Sequence, residues 1–210
     1  MAVCPLCSDR PAKRHCPAKG ETICAVCCAT KREVEIDCPG DCQYLRSGRD
    51  YEAEKRVADP EFNVRAQHFD HEFLYRFSPI LDVVSRAVVA ERLESQWLVD
   101  IDVIEVYKAL TVTMKTLASG IYYESAPEGA VRQALFRRLT ALFDQLMQPQ
   151  DDPGQPSLKI SEALDILDFL TLAAETNSSL RPRSRRYLDW LTSMAAPAAA
   201  QQPSSGLIIP

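Results

Sequence analysis

The chain has 210 residues, 46% hydrophobic and 25% charged, proportions of a soluble globular protein with room for one ordinary domain and a small module. Its formal charge of −5 argues against a generic nucleic-acid binder, which carries a positive excess. No run approaches the roughly 18 apolar residues of a membrane span. The start, Met1-Ala2-Val3-Cys4-Pro5, lacks the basic and apolar regions of a secretion signal, so a cytoplasmic address with reduced thiols is expected.

All 8 cysteines lie between Cys4 and Cys42: Cys4-x2-Cys7, Cys16, Cys24-x2-Cys27-Cys28 and Cys38-x3-Cys42. Eight thiolates are the ligand complement of two tetrahedral zinc sites, with none left over. A segment this short buries too little apolar surface to fold alone, which makes metal its expected source of stability. Disulfides are the weaker reading in a reducing compartment, and the tight Cys-x2-Cys-x2-Cys run of an iron–sulfur protein is missing. Cys4-Pro5-Leu6-Cys7 has the form of a zinc knuckle, two thiolates on one turn whose N–H groups face the sulfurs. Cys24-Ala25-Val26-Cys27 repeats it, and the two pairs together make one site. Cys16, Cys28, Cys38 and Cys42 then form a second, interleaved with the first. Two zinc ions per chain are expected. Because Cys27 and Cys28 are adjacent, the two can exchange sites, and His15 is a rival ligand for the second.

The stretch Cys4-x2-Cys7-x8-Cys16, followed by Gly20-Glu21-Thr22-Ile23-Cys24-x2-Cys27, resembles a B-box-type zinc finger. The resemblance covers residues 1–42 and implies a cross-brace of two zinc sites in a small ββα-like fold that serves protein–protein interaction. By position, Cys4, Cys7, Cys24 and Cys27 match the first site and Cys16 opens the second. The chain departs from the pattern at Lys19, where the family has an Asp or Cys ligand. It departs again at Cys38-Pro39-Gly40-Asp41-Cys42, which stands in place of a closing histidine pair. Cys28 is expected to replace the ligand lost at Lys19.

Beyond a zinc module at 1–45, residues 46–195 read as an all-α bundle, so the fold class is mostly α. Residues 46–58 suggest a solvated connecting helix. Phe77, Ile80, Leu81, Val84, Val88 and Trp97 mark a second helix, entered through Ser78-Pro79 as N-cap and first turn. Val103, Val106, Leu110, Met114, Leu117 and Ile121 form a third stripe at three-to-four spacing. Pro127 opens a fourth with Val131, Leu135, Leu139, Leu142 and Leu146, and the loop 148–156 closes it. Ile160, Leu164, Leu167, Leu170 and Ala174 carry a fifth. Ser184 is expected to cap the last, which bears Tyr187, Leu188, Leu191 and Met194. Residues 196–210 read as a disordered tail whose final apolar residues are Leu207, Ile208 and Ile209.

Other constellations are weaker. Arg181, Arg183, Arg185 and Arg186 form the strongest basic cluster, a candidate anion site for phosphate, RNA or an acidic partner. Arginines at a helix start oppose the macrodipole, so internal carboxylates such as Glu175 or Asp189 are the alternative partners. His68 and His71 stand three apart but read more simply as polar residues at a helix entrance. Glu162, Asp165 and Asp168 read as a solvated helical face, and Tyr122-Tyr123 as packing residues. No phosphate loop, nucleophile elbow or catalytic triad pattern is present. Closed four-cysteine sites hold a fold and leave no position for activating water. The expectation is therefore a non-enzymatic adaptor or regulator with an unidentified protein partner. The alternatives are a nucleic-acid-associated regulator and a thiol-based redox or zinc sensor.

Overall fold

Helices dominate the chain. The computed structural model describes residues 2–57, 66–67, 69–120, 123–149 and 157–195, and among these only one small sheet appears. Strands β1 (Arg14–Cys16) and β2 (Glu21–Ile23) pair antiparallel, with His15 opposite Thr22. Gly20, at a φ of +67°, lets its N–H turn back onto the Cys16 carbonyl at 2.9 Å and closes the hairpin. A short helix α1 (Ala25–Lys31) and a longer α2 (Gln43–Val57) complete the N-terminal part. Then come α3 (His71–Glu94), α4 (Asp100–Ala118), α5 (Ala130–Met147), α6 (Ile160–Asn177) and α7 (Arg186–Ala195).

The apolar stripes read from the sequence organise the bundle. Val103, Val106, Leu110 and Met114 on α4 are all buried, and α4 packs most extensively against α6 and then α5. Leu135 and Leu139 face it from α5, and Leu167, Leu170 and Ala174 from α6. Phe136, Phe143 and Ile166 share this core although the periodic reading passed over them. α7 returns to lie against α3, burying Tyr187, Leu188 and Leu191. The hydroxyls of Tyr107 and Tyr187, both fully enclosed, bond each other at 3.3 Å. Ile121, Tyr122, His68 and the expected tail 196–210 lie outside the described residues.

Three local expectations are corrected. Ser78-Pro79 does not start a helix: α3 opens seven residues before Ser78, where the Asp70 side chain accepts the Phe73 N–H at 2.8 Å. Pro79 sits inside the helix and cannot donate to the Tyr75 carbonyl. The Ser78 hydroxyl donates to that carbonyl instead, at 3.2 Å, so the interior proline leaves no acceptor orphaned. Trp97 does not face inward but is 68% exposed. The helix has already ended, with Ser95 N–H on the Glu91 carbonyl and the Arg92 guanidinium on the carbonyls of Ser95 and Gln96. Met194, placed on the inward stripe of α7, is also exposed.

Ser184 caps α7 only in part, its hydroxyl oxygen accepting the Arg186 N–H at 3.5 Å. The rest of the cap is Asp100, the first residue of α4, whose buried carboxylate accepts the N–H groups of Tyr187 and Leu188, each at 3.2 Å. Ser184 donates its hydroxyl to the same carboxylate at 2.7 Å, and its carbonyl receives the Asp100 N–H. One helix thus caps another across more than eighty residues of sequence. Burial raises the Asp100 pKa, and the hydrogen bonds from Ser184, Tyr187 and Leu188 only partly counter it. The folded chain therefore holds this proton to higher pH than the unfolded chain, whose aspartates titrate near about 4. Stability from this group is fully present below that value and falls as pH rises through the native pKa. Asp100→Asn is expected to abolish that slope. It should also cost about 1–3 kcal/mol at neutral pH, because an amide NH2 would confront N–H donors; urea denaturation at several pH values measures both effects.

Candidate metal centre

The Cys4, Cys7, Cys24 and Cys27 sulfurs converge within 4.8 Å of one another. Each is placed by local backbone geometry. Cys4 and Cys7 share a tight turn in which the Ser8 N–H bonds the Cys4 carbonyl at 2.8 Å, with Ser8 at a φ of +52°. Cys24 is the N-cap of α1, and its sulfur accepts the Cys27 N–H at 3.3 Å. Cys27 follows one turn into the helix and points the same way. Cys4, Cys24 and Cys27 are buried, at 0%, 2% and 4% exposure, and Cys7 is half-buried.

A tetrahedral zinc with bonds of about 2.3 Å separates its sulfurs by about 3.8 Å. The Cys7 and Cys24 sulfurs stand 3.9 Å apart, close to that spacing and far beyond a disulfide bond, and all eight cysteines are free thiols. Electrostatics point the same way. Burial opposes ionisation of Cys4, yet hydrogen bonds from the backbone of Cys24, Leu6 and Cys7 and from the Cys24 side chain bring its pKa down to about 6. The Cys7 thiol is likewise lowered, chiefly by the backbone of Arg10 and Asp9. Cys27 is driven the other way: burial, then the crowding of Cys24, Cys7 and Cys4, push it up to about 12. Four sulfurs this close cannot all carry charge without a cation among them. The donor set fits one zinc ion, which when bound would offset half of the thiolate charge and fix α1 to the N-terminal turn.

The second expected quartet is less complete. Cys16 lies at the end of β1 in the same small core, where Cys28 and Cys38 pack against it. Burial raises the Cys38 thiol, a hydrogen bond from the Glu33 backbone offsets part of this, and nearby Cys42 and Cys16 add to it. Among the described residues, however, these sulfurs do not form a second group within ligand distance, and one four-cysteine site is what the geometry contains. Of the adjacent pair, Cys27 joins the first site and Cys28 does not. His15 is exposed in the middle of β1, and strand alternation turns it away from Cys16. Lys19 occupies the hairpin turn, its N–H on the Cys16 carbonyl.

The arginine cluster meets the cysteine module. Arg181 donates to the carbonyls of Ala29 and Arg32 and to the Glu52 carboxylate at 3.1 Å. Arg183 bonds the Val34 carbonyl through its side chain and the Glu33 carbonyl through its N–H. Arg185 pairs with Asp37, and Arg186 reaches the Arg49 carbonyl. The acids facing the cluster are thus Glu52 and Asp37, while Asp189 pairs with Arg49 and Glu175 with Lys108.

At the centre sits Glu33, 2% exposed and at a φ of +55°. Its carboxylate accepts from Arg49 at 2.8 Å and from the Ser179 hydroxyl at 2.9 Å. Burial acts to lower the Arg49 pKa, but Glu33, helped by Asp189, more than offsets it and raises it. No local sequence signal marked Glu33, because its side-chain partners Arg49 and Ser179 lie 16 and 146 positions away. Gly48 on α2 leaves the space through which Arg32 reaches the Tyr44 carbonyl. The pairing of Arg138 with Glu91 and Glu94 is separate and ties α5 to α3. On the supposed solvated face of α6, Glu162 pairs with Arg76 and receives the Lys159 N–H.

No family model, curated protein or solved structure matches this chain.

Cys27→Ser is expected to abolish metal retention at this site, read by elemental analysis, and to melt α1. Hydrogen exchange should then rise at the backbone N–H groups of Arg183 and Ser184, which the seam protects. Glu33→Ala leaves Arg49 with Asp189 as its remaining carboxylate partner and should cost about 1.5–3 kcal/mol in chemical denaturation, with partial recovery when Arg49→Met is added.

Proposed function

We propose that this chain is a zinc-binding adaptor or regulatory protein whose N-terminal module is a B-box-like cross-brace presenting a surface to a protein partner. The observation that carries the reading is the closed, buried cysteine quartet. With four protein sulfurs and three of them nearly inaccessible, the site supports a fold and offers no coordination position to a substrate. The protein is accordingly read as non-enzymatic. Cys16, Cys28, Cys38 and Cys42 are assigned to a second zinc, supported by the packing of Cys28 and Cys38 against the small core that contains Cys16.

A protein partner is favoured over nucleic acid because the Arg181 to Arg186 side chains already face carbonyls and carboxylates of the module. Val3, Val26 and Val34 are exposed on the module at 56%, 46% and 40%, offering apolar contact to a partner. The cytoplasmic assignment follows from the cysteine chemistry; among the described residues no helix is long and apolar enough to cross a membrane.

Elemental analysis of the purified protein should return two zinc ions per chain; one alone would remove the second site. A pull-down comparing the wild-type protein with Cys7→Ser should lose the partner on substitution. Equal recovery by both proteins would exclude a role for the metallated module in binding.

A further inference from the structure

A second surface lies on the helical bundle. Between α3 and α7, with α6 beneath, runs an apolar groove of about 330 Å³. Its walls are Leu74 and Leu81 on α3 and Trp190, Leu191 and Met194 on α7, with Phe169 of α6 at its floor. Leu74 and Trp190 are each 39% exposed and Met194 is 67% exposed, so large apolar side chains line an open trough. The charges at its rim, Asp82 and Arg86, pair with each other and leave no net field to attract an ionic ligand.

We propose that this groove is the docking site for the chain's own segment Leu207-Ile208-Ile209. Three observations converge on that occupant. First, α7 ends at Ala195, which itself lines the groove, so the following residues start at its lip. Second, residues 196–210 contain no charged side chain, matching a groove whose rim charges cancel, and their large aliphatic residues are confined to these three positions. Third, the reach is sufficient. The eleven intervening residues, 196–206, span up to about 35–40 Å when extended. The stretch of α3 from Leu74 to Arg86 is only about 18 Å long. Tethering raises the local concentration of the segment to about the millimolar range, enough for a short aliphatic peptide with weak intrinsic affinity. Docking would cover Trp190 and Met194 and close the exposed seam between α3 and α7.

Trp190 reports directly on occupancy. In a Trp97→Phe background, which removes the other tryptophan, the zinc-loaded full chain is compared with Leu207→Ser/Ile208→Ser/Ile209→Ser. The proposal expects Trp190 emission to shift red and acrylamide quenching to increase in the triple variant, with unchanged far-ultraviolet circular dichroism. A synthetic peptide of residues 196–210, added to the triple variant, should reverse both changes saturably, while its serine counterpart should not. Unchanged emission and quenching in the triple variant would overturn the proposal. So would protection of Trp190 that depends on protein concentration and accompanies a doubled mass in light scattering, since the groove would then hold a second copy. The full-length triple variant keeps the test decisive even where truncation at Ala195 impairs folding.

Discussion

Crowding of four thiols is the constraint on which the N-terminal module depends. Apart from sulfur, the small core there buries little more than Ile23 and Ile36. Two isoleucines do not offset the conformational entropy of some forty residues. Left to themselves the sulfurs resist a common charge state, as the opposed shifts of Cys4 and Cys27 show. A divalent cation converts that conflict into cohesion, and the turn at Cys4, the hairpin and α1 then have one centre in common.

From that centre the structure is continuous with the bundle. Cys27 belongs to α1, the Ala29 and Arg32 carbonyls lie at its end, and Glu33 follows with its carboxylate on Arg49 and Ser179. The contact is mostly polar: carbonyls, carboxylates and guanidinium groups meet with little aliphatic surface between them. Such a joint has directional requirements, because each planar arginine donor needs its acceptor in place. Geometry set at the sulfurs is therefore felt where the last helix begins.

What the chain declares locally was legible; what it does by long-range contact was not. The spacing of Cys4, Cys7, Cys24 and Cys27 is a local signature, as is the three-to-four periodicity from Val103 to Met114, and both lead to the observed arrangement. Ser78-Pro79 misled because two mechanisms share one motif: a serine before a proline can begin a helix or repair one, and Asp70 had already begun it. Asp100 was invisible as a cap because its partners, Tyr187 and Leu188, come from another helix. The arginines drew attention as a charge cluster, but Asp37, Glu52 and the α1 carbonyls that face them lie far away in sequence. Cys28 shows the same limit, since adjacency to Cys27 does not fix which way either side chain turns.

The joint between the module and the bundle also orders events in time. Its long-range hydrogen bonds join residues 129 to 152 positions apart, whereas Cys4 to Cys27 span a single short stretch. At about 5–20 residues per second of synthesis, roughly 7–30 seconds separate emergence of Glu33 from that of Arg181 and Arg183. During that interval the cysteine site is complete in sequence while its flank lacks Arg181 and Arg183, and Glu33 has Arg49 but not yet Ser179 as a side-chain partner. The four sulfurs of the metal centre are thus synthesised well before the arginine strap that reaches the α1 carbonyls.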